Sequence, residues 1–580
     1  MTCPYPSKIG LAASLLSLLV AADASAQTKV NPVPNPCSRM AAGSVVSNPP
    51  TLSSQNGVLS VNFSYQTTKD ADGRQLYCFM TPSGLENPTF HLKPGDHLVI
   101  NVTNNVPESS GMSMAVSSAA NQCGAVTMTN TSVNIHYHGT NTSPTCHSDE
   151  VIHTLINTGE SFRYNVAFPS DEPPGLYWYH PHVHGIAEAA VLGGASGAIV
   201  VDGLEDIQPA VSGLADRLLL IRDQNVAGNP KPGGPVPSWD VTLNYVPIPY
   251  PALTAAVIQM RPGEKQLWRV GNLCADTILD LQLVFDGNVQ QLQVVGLDGV
   301  PVGSQDGTRQ GKIVNTSHLR LPPAARAEFI VTGPSEDVGT AVFQTQAIVT
   351  GPNGDNDTAR TLAVIHTTSP QTTAASKPAG AATTTTLASP ATQSPTSGSV
   401  VPASTGVTWK QRFEGLETAD ITARRVLYFS ENDAQTQFFI TVDGQTPTPF
   451  DPTLPPAVTT KQGSVEEWVI QNRAKENHEF HFHQLHFLVE SQDNFEANGS
   501  QPAPAIQGQL LDMIELPYWD GTSAFPSVRL RIDFRGPDVG DFVYHCHILN
   551  HEDQGMMAII RVLPAGSTDG GATSGRIGKR

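Results

Sequence analysis

Apolar and polar residues alternate in short segments that recur three times along the chain. Each copy begins at a glycine and ends nine residues later at an asparagine, in Gly95–Asn104, Gly263–Asn272 and Gly463–Asn472. Alternation with a period of two is typical of a β-strand with one buried face, and the glycine marks the turn before it. The equal spacing favours three copies of one structural unit over three unrelated β domains.

A second strand pattern recurs later in each unit, at residues 175–182, 339–346 and 540–547. The first and third copies carry two histidines two positions apart, whereas the middle copy has Gln344 and Gln346 at those positions. Between its two histidines the first copy has Pro181, and the third has Cys546. The middle unit is therefore predicted to keep the fold without the histidines.

Turn-forming residues and the lack of long helical periodicity favour an all-β fold. Glycine (49) and proline (46) together account for 95 of the 580 residues, and turn signals separate the strand-like segments. The length suits three tandem β-sandwich domains of roughly 150 residues each. The repeats place these domains at residues 40–203, 210–368 and 407–565.

Two further segments lack the large apolar residues that a folded core requires. Residues 369–406, between the second and third units, are rich in Thr, Ala, Ser and Pro and almost uncharged. We interpret this segment as a flexible linker rather than as an insertion that covers a substrate site. The Gly-rich residues 566–580 are predicted to form a disordered tail.

The strongest candidate chemistry lies near the C-terminus, in His545-Cys546-His547 followed by His551 and Met556. Two imidazoles, one thiolate and a weak axial thioether are the ligands of a blue copper site. In an extended strand, neighbouring side chains point to opposite faces, so Cys546 should face one way and both flanking histidines the other. One short strand could thus serve two metal centres.

Three upstream clusters complete the set of candidate ligands. By the same parity argument, His481 and His483 share one face of a strand, while His478 falls on the face where Cys546 needs a partner. The remaining candidate pairs are His136 with His138 and His180 with His182. A single pair is weak evidence, because most histidines are structural or solvated. Four pairs supply eight imidazoles, enough for a three-metal cluster between the first and third units.

These four segments resemble the four copper-binding motifs of the multicopper oxidases, the family of laccases, cuprous oxidases, bilirubin oxidase and ascorbate oxidase. The resemblance implies Greek-key cupredoxin domains and four copper ions, one type 1, one type 2 and two type 3. By motif position, the type 1 ligands are His478, Cys546, His551 and Met556, and the type 2 pair is His136 and His481. The type 3 ligands are His138, His180, His182, His483, His545 and His547.

Three positions depart from the family's pattern without removing a ligand. Tyr137 stands where Trp is common, and Glu479 and Gln484 replace the usual Pro and Gly. The family resemblance also implies that Met556, as axial ligand, sets a modest reduction potential at the type 1 copper.

The resemblance implies an enzyme that couples one-electron oxidations to the four-electron reduction of dioxygen to water. A laccase-like oxidase of phenols or aromatic amines is the leading interpretation. A cuprous oxidase is the alternative, although that class often carries a Met-rich segment and this chain has only ten methionines. A copper-free binding protein of the same fold should lack ligands, and a two-domain nitrite reductase should lack the third repeat.

Water formation consumes protons that a buried cluster cannot take directly from solvent. Glu552, which follows the candidate ligand His551, is the first candidate for delivering them, in keeping with its position in bacterial family members. Asp149, in the loop after His138, is the second candidate. The competing interpretation of each is an ordinary loop carboxylate.

Residues 1–26 resemble a secretory signal peptide, with Lys8, an apolar run over residues 9–22 and a final Ala-Ser-Ala. The run is too short to span a membrane comfortably, so we expect a secreted or periplasmic protein without a membrane span. The net charge of −19 argues against nucleic acid as a partner. The expected partners are dioxygen and a small aromatic reductant or Cu(I).

Five cysteines remain once Cys3 of the signal segment and Cys546 are set aside, and an odd number leaves one thiol unpaired. One or two disulfides are expected in an oxidising compartment. Cys123–Cys146 is the favoured pair, because it would brace the loop around His136 and His138. The partners of Cys37, Cys78 and Cys274 stay open at this stage.

Overall fold

The computed structural model describes residues 29–109, 113–115, 123–228, 236–304, 310–367, 413–498 and 506–567. The predicted signal peptide, the predicted linker and residues 568–580 of the predicted tail lie outside the described residues. Within the described ranges, no helix is long and apolar enough to cross a membrane.

Two sheets and a few short strand pairs form the first unit. Its elements are β1 Thr51–Ser53, β2 Val58–Lys69, β3 Gln75–Met80, β4 Thr89–Leu92, β5 His97–Asn104, β6 Ser113–Ala115, β7 Cys123–Gly124, β8 Thr127–Thr129, β9 His136–His138, β10 Thr154–Leu155, β11 Ser161–Ala167, β12 Gly175–His180, α1 Ala187–Leu192 and β13 Gly197–Val201. One sheet has the order β1-β4-β13-β12-β9, and the other has the order β11-β5-β2-β3. Neighbouring strands are often distant in sequence, as in a Greek key.

The second unit repeats this arrangement with larger sheets. Its elements are α2 Leu204–Ile207, a 3₁₀ turn Pro209–Val211, β14 Ala215–Asn225, β15 Trp239–Leu243, β16 Val246–Ile248, β17 Ala256–Met260, β18 Lys265–Asn272, β19 Leu279–Phe285, β20 Asn288–Val289, β21 Leu292–Leu297, β22 Val300–Pro301, β23 Val314–Thr316, β24 Leu319–Leu321, β25 Arg326–Thr332, β26 Ala341–Thr345 and β27 Arg360–Thr367. One sheet runs β16-β15-β14-β18-β25-β21-β22, with β23 on β21, and the other runs β17-β27-β26-β19-β20, with β24 on β19.

The third unit is again a pair of sheets. Its elements are 3₁₀ turns at Leu416–Thr418 and Phe495–Asn498, β28 Ala423–Glu431, β29 Phe438–Val442, β30 Val458–Lys461, β31 Val465–Asn472, β32 His478–Phe482, β33 Phe487–Asp493, β34 Leu510–Leu511, β35 Met513–Leu516, β36 Ser527–Asp533, β37 Gly540–Cys546, α3 Leu549–Asp553 and β38 Met557–Leu563. The sheets have the orders β29-β28-β31-β36-β33-β34 and β30-β38-β37-β32-β35. The prediction of an all-β fold is confirmed, and the predicted domain limits enclose these three groups of sheets.

A buried asparagine closes the same strand in every unit. Strands β5, β18 and β31 end at Asn104, Asn272 and Asn472, as the spacing predicts. In each copy Oδ1 accepts a hydrogen bond from the backbone N–H two residues on, and Nδ2 donates to backbone carbonyls of neighbouring loops. Buried carbonyls need such donors where the hydrogen bonding between strands ends. The recurrence of asparagine at this position therefore has a structural cause.

The histidine pairs lie on adjacent strands. In the first unit β9 pairs with β12, which sets His136 opposite His180. In the third unit β32 pairs with β37, which sets His481 opposite His545 and Phe480 opposite Cys546. Because side chains alternate along each strand, each sheet presents its histidine pairs from one face, while His478 lies on the opposite face with Cys546.

One apolar core joins the units. A continuous cluster of buried side chains includes Leu176 and Trp178 of β12 together with the cores of the second and third units. The Tyr177 hydroxyl donates to the Gly299 carbonyl of the second unit at 3.1 Å. The strand that carries His180 is therefore packed against the second unit as well as its own.

The described part of the chain contains two disulfides, Cys37–Cys78 and Cys123–Cys146. The predicted Cys123–Cys146 pair is confirmed, and the unpaired thiol besides Cys546 belongs to Cys274, which is buried.

Candidate metal centres

The first candidate centre gathers His478, Cys546 and His551 in the third unit. The Nδ1 atoms of the two histidines are 3.1 Å apart, and Cys546 Sγ lies 3.7 and 3.8 Å from them. Nitrogen and sulfur ligands bound at about 2.0 and 2.3 Å to one ion would have separations of this size. Met556 is fully buried next to them in the fold, and its carbonyl accepts the Cys546 N–H at 3.0 Å.

The other eight predicted ligands meet between the first and third units. All eight are buried. Their ligand atoms form three groups within 4.8 Å, which are His136, His138 and His481; His138, His180 and His547; and His182, His483 and His545. The groups combine residues from both units, as the sequence predicts.

The group of His182, His483 and His545 has the tightest geometry. Nε2 of His545 lies 3.2 Å from Nε2 of His182 and 3.1 Å from Nε2 of His483. Two nitrogens bound to one ion at about 2.0 Å and at roughly the tetrahedral angle would be separated by about 3.3 Å, close to these distances. Three imidazole nitrogens that point at one another are better satisfied by a shared cation than by hydrogen bonds among themselves, because each neutral ring has at most one proton to donate.

Outer hydrogen bonds orient the rings of several candidate ligands. Nδ1 of His136 donates to Asp149 at 2.9 Å, and Nδ1 of His180 donates to the Pro181 carbonyl at 2.8 Å. Nδ1 of His481 donates to the Asp512 carbonyl at 2.8 Å. For these three histidines Nε2 has no partner among the described residues, so it is the nitrogen presented to a metal.

His138 is turned the other way. Its Nε2 donates to Asp512 Oδ1 at 3.1 Å, and its Nδ1 has no partner among the described residues. The structure therefore offers Nδ1 of His138 to the cluster. Sequence spacing carries no information about which ring nitrogen faces the metal.

Burial keeps nine of the ten candidate imidazoles neutral, which metal binding requires. Burial lowers the pKa of His545 to about 3 and the pKa of His551 to about 4. Burial, followed by the neighbouring histidines, also holds the pKa values of the remaining affected ligands well below 6.5, namely His138, His180, His182, His478, His481, His483 and His547. The thiolate and thioether in this donor set favour copper.

Asp512 connects all three units beneath the cluster, and sequence reasoning missed it. Its carboxylate accepts from His138 of the first unit and from both Nη atoms of Arg326 of the second. Asp298 of the second unit accepts the Asp512 N–H at 3.3 Å and the Met513 N–H at 3.2 Å. Arg326 and Asp512 are both fully buried. No spacing in the sequence links these residues to the histidine motifs.

Gly139, which follows the first histidine pair, leaves room for this ion pair. Its φ is +81°, and a Cβ at this position would collide with Arg326 and Asp512. Glycine is thus required both for the backbone conformation and for the close approach.

The two predicted proton carriers have different surroundings. Glu552 is fully buried, with its carboxylate oxygens 3.6 Å from His545 Nδ1 and 3.8 Å from His182 Nδ1. Neither oxygen has a hydrogen-bond partner among the described residues, and burial raises the pKa of Glu552 well above 4.5. Asp149 instead accepts from His136 Nδ1, from the Tyr137 N–H and from Gln484 Nε2.

A pocket of about 280 Å³ opens beside His551. The Phe438 ring stacks on the His551 ring at 4.2 Å, and Trp239 lines another wall. Glu476 Oε2 lies 3.5 Å from His551 Nε2, the Glu431 side chain hydrogen-bonds to the Glu476 carboxylate, and burial raises the pKa of Glu476 to about 7. Asp355 completes the lining on the acidic side. The sequence did not single out any of these lining residues.

Two family models match the chain over the regions that carry the histidine motifs. Both are described as multicopper oxidase, one over residues 119–206 and the other over residues 421–566. A curated multicopper oxidase of Staphylococcus haemolyticus is 23% identical over 486 residues, which cover 82% of each chain. A laccase of Bacillus stratosphericus is 35% identical over 100 residues, 16% of this chain and 20% of that protein.

Solved structures show the same fold. The 2F4 variant of the multicopper oxidase McoA from Aquifex aeolicus aligns with a TM-score of 0.63 and 18% identity, over 90% of this chain and all of that chain (100%). A multicopper oxidase from Campylobacter jejuni, described as a metallo-oxidase, aligns with a TM-score of 0.62 and 21% identity, over 90% of this chain and 96% of the other. The fold is thus the tandem cupredoxin-like arrangement.

Proposed function

This chain belongs to the multicopper oxidase family, oxidoreductases that use copper and oxygen, and from that premise we propose that it is a secreted laccase-like enzyme. It oxidises phenols or aromatic amines one electron at a time and reduces dioxygen to water. The observation that carries the proposal is the pocket beside His551, where aromatic walls and the Glu476 carboxylate adjoin a predicted type 1 ligand. The signal-like residues 1–26 support secretion.

The predicted ligand set holds four copper ions. His478, Cys546, His551 and Met556 hold type 1 copper, His136 and His481 hold type 2 copper, and the remaining six histidines hold the type 3 pair. Bound copper supplies the one-electron entry port and the centre at which dioxygen takes four electrons. The ring nitrogens described above without partners support this ligand set.

The pocket residues select and orient the reductant. Phe438 and Trp239 offer apolar surface to an aromatic ring, and a phenolic O–H or amine N–H can donate to the Glu476 carboxylate when that group is ionised, above its pKa of about 7. A hydrogen bond to a carboxylate is stronger than one to a neutral acceptor. This contact places the ring of the reductant next to His551, the entry point for the electron.

The chain itself joins the two centres. Cys546 lies with His478 and His551, whereas its neighbours His545 and His547 lie in two different groups of the cluster. An electron that enters at Cys546 can therefore reach His545 or His547 through the covalent backbone, one residue away on either side. Alternation of side chains along β37 produces this arrangement.

Glu552 is the proton carrier that the surroundings favour, and Asp149 is a positioning residue. Both Glu552 oxygens are free to hold a proton between His182 and His545. The Asp149 carboxylate is already committed to His136, Tyr137 and Gln484, so it orients the His136 ring.

Oxidation of a metal ion is the second candidate function, and the carboxylates around the pocket favour it. Glu476 and Asp355 line the pocket, and Glu431 lies beside Glu476. Carboxylate oxygens suit hard divalent cations such as Fe(II) better than Cu(I), which prefers thiolate and thioether ligands. Among the described lining residues there is neither a methionine nor a cysteine, which disfavours the cuprous alternative.

Oxygen uptake by the copper-loaded protein tests the proposal, with a methoxyphenol, Cu(I) and Fe(II) compared at matched concentrations. Fast uptake with the phenol and slow uptake with both metal ions is the expected result. Faster uptake with Fe(II) or Cu(I) would make the protein a metal-ion oxidase. No uptake with any reductant, at a full copper complement, would overturn the assignment of the reductant class.

A further inference from the structure

The thiolate of the type 1 centre accepts a hydrogen bond from the backbone of Glu479. The Glu479 N–H points at Cys546 Sγ with a nitrogen–sulfur distance of 3.4 Å. The pairing of Phe480 with Cys546 in strands β32 and β37 holds the two groups at this distance. Both residues are fully buried, so water does not compete for the sulfur.

Position 479 is one of the three places where the chain departs from the pattern of the family it resembles, since proline is usual there. Proline has no N–H and cannot donate. The amide of Ile548 is a second donor to the same sulfur. With Glu479 in place of proline, the sulfur gains one donor more than the Ile548 amide alone would provide.

A donor to the sulfur affects the two redox states unequally. In the oxidised centre the thiolate shares electron density with copper, whereas in the reduced centre more negative charge stays on the sulfur. A hydrogen bond strengthens with the charge on its acceptor. The extra N–H therefore stabilises the reduced centre more, and hydrogen bonding around the sulfur is a recognised means of tuning the potential.

We propose that the Glu479 N–H raises the reduction potential of the type 1 copper above the value that Met556 would set beside a proline. The potential then favours electron transfer from phenols, which are poor reductants. The inference rests on the ligand set of the type 1 centre and not on the identity of the reductant. The inference can therefore fail while the proposed function stands, and the proposed function can fail while the inference stands.

The decisive comparison is between Glu479→Pro and Glu479→Ala in the copper-loaded protein. Both variants lose the carboxylate, but only Ala keeps the N–H. The potential is measured by equilibration with one-electron mediators while the thiolate-to-copper absorption band is followed. We expect the Pro variant to be harder to reduce than the Ala variant by about tenfold in the equilibrium constant, or about 59 mV. Equal potentials would overturn the proposal.

A second measurement decides the matter if Glu479→Pro does not fold or bind copper. Wild-type protein labelled with nitrogen-15 glutamate should show, by pulsed electron paramagnetic resonance of the type 1 centre, a nitrogen coupled through the hydrogen bond to the sulfur. The signal should be lost in the Glu479→Ala variant labelled in the same way. Glu552 is still labelled in that variant, so the loss would assign the coupled nitrogen to position 479. Absence of the coupling in the wild type would also overturn the proposal.

Discussion

Arg326 of the second unit forms a two-point ion pair with Asp512 of the third, at 2.7 Å between Nη1 and Oδ1 and 2.5 Å between Nη2 and Oδ2. The same carboxylate holds Nε2 of His138 from the first unit. The second unit has no histidines in its repeat, yet it supplies the cation that keeps Asp512 in place. Its contribution to the candidate copper cluster is to orient the predicted ligand His138 through Asp512.

Asp512→Asn should weaken binding of copper at the trinuclear cluster by about 10- to 100-fold, the usual cost of losing a partner behind a metal ligand. His138 would lose its charged acceptor, and buried Arg326 would be left with the more distant carboxylate of Asp298, at 3.6 Å. The blue type 1 band should persist, because His478 and His551 do not contact this network directly. Copper content and the type 2 resonance signal measure the outcome.

Glu515→Gln is the matched control for Asp512→Asn. Glu515 also pairs with an arginine of the second unit, Arg320, at 2.7 Å, but no described contact joins it to a cluster histidine. The two variants should therefore differ in copper content. Equal loss of copper from both variants would assign the effect to the contact between the second and third units rather than to His138.

Glu552→Gln should keep all four coppers and the blue colour while slowing the reduction of dioxygen. An amide in the same position cannot pass a proton, and general acids contribute about 10²- to 10⁴-fold. The measurement is the rate at which fully reduced enzyme is reoxidised by dioxygen in a single turnover. Unchanged reoxidation would remove Glu552 from the mechanism.

At a pH above 7, where Glu476 is ionised, Glu476→Gln should lower kcat/KM for a methoxyphenol about tenfold, because the hydrogen bond from the phenol loses its charged acceptor. Reoxidation by dioxygen should not change, since the cluster is separate from this pocket. Gln435→Ala, at the rim of the same pocket, is the control for a general change of shape. Equal losses in the two variants would count against a specific role for Glu476.

The stability of the protein should depend on pH through Glu431. Burial and the neighbouring Glu476 raise the pKa of Glu431 from 4.5 to about 7. Below pH 4.5 the group is protonated in both states and its contribution is fully present. As the pH rises from 4.5 to about 7 the unfolded chain releases the proton first, so the free energy of unfolding falls.

Glu431→Gln should flatten this pH dependence, because the amide does not ionise and can donate to the Glu476 carboxylate. Thermal melts at several pH values between 4.5 and 8 measure the effect. An identical pH profile in wild type and variant would show that another group is responsible.

Local geometry explains why much of the site could be predicted. Side chains alternate along a strand whatever its surroundings, so the parity of His545, Cys546 and His547 already separated two candidate metal centres. Turn residues and equal spacings likewise predicted the strands that end at Asn104, Asn272 and Asn472, which the structure confirms.

The groups around the candidate ligands could not be predicted, because they depend on how three sandwiches that share one apolar core pack together. Arg326 and Asp512 are 186 residues apart, and no local rule connects them. The same holds for the ring nitrogen that His138 offers, for the pocket at Glu476 and for the hydrogen bond from Glu479 to Cys546. The sequence alone specified the ligand types and their faces through the backbone's period of two. Packing among the units determined orientation, access and the charges that surround the ligands.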